Sequence, residues 1–282
     1  MSDVRVLERG QFPPLLRSIY DPPRRLYVRG GGEPELLLRP CVAVVGARAC
    51  SPYGAQVARR LSRELAAAGL VVVSGLARGI DGEAHRGALE AGGVTVAVLG
   101  CGIDRDYPAA HAELARRIRR DGLAVAEYEP GVEPAPWRFP ARNRIIAGLC
   151  AATVVVEARE RSGALITTDF ALEEGRDVLA VPGEITSRLS AGTNALLKLG
   201  ATPCTGAADV LELFGLTSGQ AAQPTLSGDA ATVLAALPAG PDELVRATAL
   251  DARTVAVALA ELELAGAARE GDGIFRPTAL SS

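Results

Sequence analysis

From residue 41 onward, short apolar runs recur, and polar residues collect where the runs stop. Cys41-Val42-Ala43-Val44-Val45 is too short for a helix and is closed by Gly46. Such a run predicts a strand buried on both faces of a sheet. The same pattern predicts strands over 70–74, 94–99, 123–127, 152–157 and 177–181. Helical periodicity fills the intervals, from Ser51 to Ala68, on to about Glu90, over 109–120, in a short stretch ending at Leu149, and over 164–174. Ser51 suits an N-cap and Pro52 the first helical position. A short helix, a short strand near Cys204 and a helix over 207–214 follow. Six strands alternating with helices imply an α/β fold with a doubly wound, mostly parallel sheet.

The ends of the chain read differently. Residues 1–40 are irregular in pattern, with turns at Pro13-Pro14 and Pro22-Pro23. They are expected to be a lead-in segment packed on the sheet domain. Within them Leu26-Tyr27-Val28-Arg29-Gly30 fits a short strand at a sheet edge. The sheet domain is expected over 41–215, and 216–224 has a linker composition of Ser, Gly, Gln and Ala. Beyond it, helices near 230–236, 241–247 and 251–265 precede a hairpin signal at Asp272-Gly273. That order predicts a small winged helix over 225–282.

Composition narrows the function. A 48% hydrophobic content suffices for a core, and the net charge of −3 excludes a globally basic nucleic-acid binder but not a local basic groove. Of the 30 basic residues only Lys198 is a lysine. Codon bias explains part of that skew. The five cysteines show no paired spacing and read as small buried residues in a reducing compartment. No metal-ligand cluster, signal peptide or membrane-length apolar run is present. The expectation is a cytoplasmic protein with no metal, no cofactor and no membrane contact.

The polar residues at the strand exits carry the candidate chemistry: Arg48, Ser74, Arg78, Asp81, Asp104, Glu157, Arg161 and Ser162. Open α/β sheets bind ligands at the carboxyl ends of their strands. The helix that starts beyond Ser51 offers N–H groups there to an anion. Ser74 and Asp81 can instead be helix caps. Capping does not explain Arg48, Arg78, Arg142, Arg144 and Arg161, because cations are unfavourable at helix N-termini. A phosphate fits arginines so placed. Glycines such as Gly75, Gly79 and Gly163 allow close backbone approach. Trp137 and Phe139 stand in a proline-rich stretch ahead of Arg142-Asn143-Arg144. They either fill the core or form a stacking platform for single-stranded nucleic acid. A dinucleotide fingerprint is lacking, and no Ser/His/Asp or Cys/His set is apparent. His85 lies within a predicted helix and suits a core role better than a catalytic one.

In order along the chain, these motifs resemble the DNA-processing protein A (DprA, also Smf) family. The resemblance rests on Phe12-Pro13-Pro14-Leu15-Leu16, on Val44-Val45-Gly46-Ala47-Arg48, and on Ser74-Gly75-Leu76-Ala77-Arg78-Gly79-Ile80-Asp81 with Ala84-His85. It continues through Asp106-Tyr107-Pro108, Phe139-Pro140-Ala141-Arg142-Asn143-Arg144, Arg161-Ser162-Gly163-Ala164-Leu165-Ile166-Thr167 and Ala180-Val181-Pro182-Gly183. Serine is common in the family where Ala47 stands here. The resemblance implies an extended Rossmann-like fold and binding of single-stranded DNA without known catalysis. It also implies RecA loading in natural transformation, and a homodimer. It implies DNA contacts at Arg48, around Phe139 and at Arg176. Many members carry a small helical domain ahead of the sheet, and with about ten residues before the match it is expected to be absent here.

The expected DNA-binding set is therefore Arg48, Ser74, Gly75, Arg78, Gly79, Asp81, Phe139, Arg142, Asn143, Arg144, Arg161, Ser162, Gly163, Thr167 and Arg176, with no catalytic residue. Arg48, Arg142 and Arg144 are expected to meet phosphates in a row. The rival reading is a nucleotide-binding enzyme of the Rossmann-like nucleotide-hydrolase type using the same crevice. Residues 189–214 stay apolar past the last main strand and are the expected dimer surface. The 225–282 segment holds eight acidic and four basic residues. That balance suits protein contact better than a DNA groove.

Overall fold

In a computed structural model, residues 4–216, 227–264, 268–271 and 273–277 are described. The chain forms two compact units, Met1–Ala221 and Ala222–Ser282. The first is built on a nine-stranded sheet. Its strands are β1 (Arg5–Glu8), β2 (Arg25–Gly30), β3 (Cys41–Val45), β4 (Val71–Ser74), β5 (Thr95–Leu99), β6 (Leu123–Ala126), β7 (Ala152–Val155), β8 (Asp177–Ala180) and β9 (Thr202–Pro203). Their spatial order is β1-β2-β6-β5-β4-β3-β7-β8-β9. The seven from β6 to β9 pair in parallel, whereas β1 and β2 add an antiparallel hairpin-like edge.

Two expectations need correction here. The lead-in residues are not irregular, since they supply two strands of the sheet. The 26–30 strand is not at the edge either, because β2 lies between β6 and β1. Its Leu26 and Val28 are fully buried while Tyr27 and Arg29 are not, so one face closes the core.

The helices are α1 (Pro14–Arg17), α2 (Pro52–Ala67), α3 (Ile80–Glu90), α4 (Ala112–Asp121), α5 (Arg138–Leu149), α6 (Gly163–Glu173), α7 (Ala191–Lys198) and α8 (Ala207–Leu213). β3 is buried throughout. Its Val42 and Val44 pack with residues of α2 and α3, and its Cys41, Ala43 and Val45 with Ile145, Ile146 and Leu149 of α5. Alternate side chains of one strand thus hold two helical layers.

The strand order reverses at β3. From there the chain proceeds to β4, β5 and β6 on one side, then crosses to β7, β8 and β9 on the other. That switch point opens a crevice at the carboxyl ends of β3 and β7.

The second unit has α9 (Gly228–Ala235), α10 (Pro241–Thr248), α11 (Ala252–Leu264) and a two-stranded ribbon of β10 (Ala268–Gly271) and β11 (Ile274–Pro277). Val233, Leu244, Val255, Leu259 and Leu262 form its core. Most of the expected linker, 217–224, and Asp272 of the hairpin signal lie outside the described residues.

Candidate nucleic-acid interface

A cavity of about 430 Å³ occupies the switch-point crevice. Three exit turns and the helices α5 and α6 wall it. After β3 comes Gly46-Ala47-Arg48-Ala49, and after β4 come Ala77 and Asp81. The turn after β7 gives Arg159, Arg161, Ser162 and Gly163, with Ala164 and Thr167 of α6 behind. From α5 come Phe139, Pro140, Arg142, Asn143 and Ile146. On α5, residues 139, 142 and 146 follow the three- and four-residue spacing of one helical face.

One helix N-terminus near this crevice, that of α2, is already occupied. Ser51 caps α2, its Oγ accepting from the Gly54 amide at 3.0 Å. Glu157, buried at the end of the β7 run, then accepts from the Ser51 amide at 2.9 Å and from its hydroxyl. A carboxylate therefore sits where an anion was expected to bind, stabilised by the positive end of the α2 dipole. Gly54 leaves room for it, because a Cβ there would overlap the Glu157 carboxyl group. At α3 the cap is Gly79, not Ser74 or Asp81. Gly79 has φ +73°, and a Cβ on it would run into the carbonyls of Ala47 and Arg48. Only glycine lets these two exit turns lie against each other.

Asp81 and Arg142 form the floor. The Asp81 carboxylate accepts from the Gly75 amide at 3.1 Å and the Ala77 amide at 3.3 Å. Burial pushes its pKa up, opposed by the Arg142 charge and those amides. The Arg142 side chain donates to the carbonyls of Gly75 at 2.9 Å and Val98, and to Asn143 Oδ1 at 2.9 Å. Burial brings its pKa down to about 10, with Asp81 acting the other way. Arg142 thus remains charged at neutral pH and stitches the ends of β4 and β5 together.

The expected row of arginines is therefore not what the fold presents. Arg142 is only 3% exposed and commits its donors to carbonyls. Arg144 lies outside the cavity lining, where it pairs with Glu127 and with Asp21 at 2.9 Å. Arg176 lies just before β8, at the opposite end of that strand from the crevice, and bonds to the Leu15 carbonyl at 3.2 Å. Ser74 is buried and donates to the Val44 carbonyl at 2.7 Å. Gly75 is closed in by Arg142 and Asp81. Arg78 is exposed in the turn before α3 but outside the lining.

The crevice does gather Arg48, Asp81, Phe139, Arg142, Asn143, Arg161, Ser162, Gly163 and Thr167 from the expected set. Arg48 and Arg161 are exposed and carry no ion pair. Arg159 joins them. It was overlooked although it stands two residues before Arg161 on the same exit turn. Phe139 is half-buried, stacked on Tyr107 with centroids 5.2 Å apart, and the Arg48 guanidinium lies 5.4 Å from its ring centre. Trp137 does not fill the core. It is 62% exposed, edge-on to Tyr128, with Arg138 5.0 Å from each ring.

His85 is a core residue. Thr95 Oγ1 donates to the Val72 carbonyl, so His85 Nδ1 at 2.6 Å must donate to Thr95. Burial, with His111 and Arg142 nearby, lowers its pKa to about 3. Among the described residues no group of His, Cys, Asp or Glu is placed to hold a metal, and no helix is long and apolar enough to cross a membrane.

Residues 3–215 match the family described as DNA recombination-mediator protein A, and 218–273 match the DprA winged helix domain. The DNA processing protein DprA of Streptococcus pneumoniae is 49% identical over 203 residues, covering 72% of this chain and 71% of that one. A putative DNA processing protein DprA of Mycobacterium tuberculosis is 43% identical over 266 residues, covering 90% and 68%. The X-ray structure of the S. pneumoniae protein superposes with a TM-score of 0.71 at 47% identity, covering 74% of each chain. A Helicobacter pylori DNA processing protein A, described for its single-stranded DNA binding mode, gives 0.68 at 30%, covering 76% of this chain and 98% of that one. On the family match, the relatives and the shared fold, this chain belongs to the DprA family of DNA recombination mediators, and its role lies in DNA processing.

Proposed function

We propose that the switch-point crevice binds single-stranded DNA, and that the protein protects incoming strands in the cytoplasm and loads RecA onto them during natural transformation. The observation that carries the DNA reading is the meeting of Arg48, Arg159 and Arg161, none of them ion-paired, with the ring of Phe139 in one cavity. Arginines supply the phosphate contacts and an aromatic face accepts a base of any identity. The Helicobacter relative is described as binding single-stranded DNA, which supports the same reading. Homodimerisation through 189–214 belongs to it too, favoured by exposed Leu199 and Leu213.

The test is fluorescence anisotropy of a short labelled oligonucleotide at several salt concentrations. Each phosphate contact on a single strand contributes about −0.7 to the slope of log affinity against log salt. Arg48→Ala should weaken binding of all sequences alike and flatten that slope by about 0.7. Unchanged affinity and slope in a folded variant would move the site elsewhere.

For the winged helix we propose protein contact rather than duplex binding. The outward residues of α11 include Ala252, Ala256, Val257 and Ala260 beside a single Arg253. Such a surface offers few donors to base edges or phosphates. A chain ending at Leu216 should therefore bind duplex DNA as well as the full chain at physiological salt. A tenfold drop on truncation, read by the same anisotropy assay, would refute this.

A further inference from the structure

Trp137 has no part in the crevice lining, whereas Phe139, two residues on, does. A helix turns about 100° per residue, so the two rings leave the start of α5 on nearly opposite sides. Trp137 is 62% exposed and belongs to none of the hydrophobic clusters. An indole so open is nevertheless held in place. Pro134 and Pro136 precede it and Pro140 follows, which restricts the backbone on both sides. Tyr128 meets it edge-on with centroids 6.4 Å apart, and the Arg138 guanidinium lies 5.0 Å from both ring centres. Arg138 makes no ion pair, donates to the Glu133 carbonyl, and has its Nε sealed from solvent. A partly desolvated cation is attracted more strongly to a ring face. The cluster thus fixes a large aromatic surface at the protein–water boundary, one turn of chain away from the crevice mouth. Of the acidic residues on this loop, Glu127 is paired with Arg144 and Glu133 with Arg105, while Glu129 is exposed and unpaired. That charge balance suits contact with a base better than contact with a phosphate.

We propose that Trp137 is a second base-stacking platform outside the crevice, reached by a strand that runs from Phe139 across the start of α5. The inference rests on the reading of the crevice as a single-stranded DNA site and extends it. A ring already immobilised loses little freedom when a base stacks on it, and stacking accepts any base. The platform therefore adds affinity only for strands long enough to leave the crevice, and it adds none of the salt dependence that arginine contacts bring.

The test uses the full chain, thymidine oligonucleotides lengthened one nucleotide at a time, and the emission of the ring itself, since Trp137 is the only tryptophan in the sequence. Strands that stay within the crevice should bind and leave the emission unchanged. Beyond a threshold length the emission should be quenched and the affinity should rise. Trp137→Ala should abolish that rise, a loss of roughly fivefold to a hundredfold for the longer strands, with the shortest strands bound as before and the salt slope unmoved. Trp137→Phe keeps a stacking face and should recover most of the loss, and melting curves report whether either variant has lost its fold. Long strands that saturate the protein by anisotropy without quenching, or a folded Trp137→Ala that binds every length as the unaltered chain does, overturn the proposal and leave the crevice reading standing. Equal weakening of short and long strands by Trp137→Ala overturns it as well, by making Trp137 a support for Phe139. Absence of binding at every length is the failure of the crevice reading itself, and takes the proposal down with it.

Discussion

Replacing Arg142 with alanine should cost the protein about 2–6 kcal/mol of stability, since it takes the donor from two buried carbonyls at about 1–3 kcal/mol each. The side chain is buried and holds the carbonyls of Gly75, just past β4, and Val98, near the end of β5. Its loss leaves both carbonyls without this donor and removes the largest charge that opposes the burial of Asp81. For a unit of this size the melting temperature should fall by on the order of 10 °C. Arg142→Lys should recover little, because one ammonium cannot reach three acceptors with the geometry of a guanidinium. Removing both charges, with Asp81→Asn and Arg142→Met together, should be less damaging than Arg142→Ala by itself, since no uncompensated charge remains. Thermal denaturation followed by circular dichroism measures all three. If Arg142→Ala melts like the unaltered protein yet flattens the salt slope, then Arg142 is a phosphate ligand after all and the floor of the crevice is wrongly described.

This residue also shows where sequence reasoning stops. Arg142-Asn143-Arg144 reads as a basic cluster because its members are neighbours in the chain. A helix turns about 100° per residue, so Arg142 and Arg144 leave α5 on nearly opposite sides. One meets carbonyls 67 and 44 residues away in sequence, the other meets Asp21 and Glu127. Neither set of partners leaves a mark on the local pattern. The α2 N-terminus was misjudged for a related reason. Ser51 and Pro52 announce the cap correctly, but the carboxylate that fills it comes from Glu157, 106 residues on.

What was legible was whatever short-range periodicity decides. The continuous apolar runs of β3 to β8 need burial on both faces and report it directly. β1 does not. Arg5-Val6-Leu7-Glu8 has only Leu7 buried, as suits a short edge strand, and four residues with one inward side chain have no readable period. The crevice was legible as far as its exit turns, because an arginine past a strand end has few other uses. Arg159 shares that position and lines the same cavity.

The second large effect concerns Phe139. The ring is half-buried at the mouth of the cavity and is absent from the hydrophobic core, where Ile145 and Ile146 of the same helix belong. Tyr107 stacks on it and the Arg48 guanidinium lies over it. On the proposed reading, a base of the bound strand stacks on this ring where the Arg48 guanidinium now lies. Phe139→Ala should therefore reduce single-stranded DNA affinity by about 1–3 kcal/mol, the range for one base stacked on one aromatic side chain. The salt slope should not move, because no charge has been removed. This separates it from Arg48→Ala, which should change slope and affinity together. The double variant should cost less than the sum of the two, since guanidinium and base use the same ring. Duplex DNA keeps its base faces covered, so its binding should hardly respond. Anisotropy titrations on matched single and double strands, with melting curves alongside, supply every comparison. A large drop in melting temperature with no change in affinity would return Phe139 to the core. A parallel loss on single and double strands would show that the ring shapes the Arg48 turn and stacks on no base.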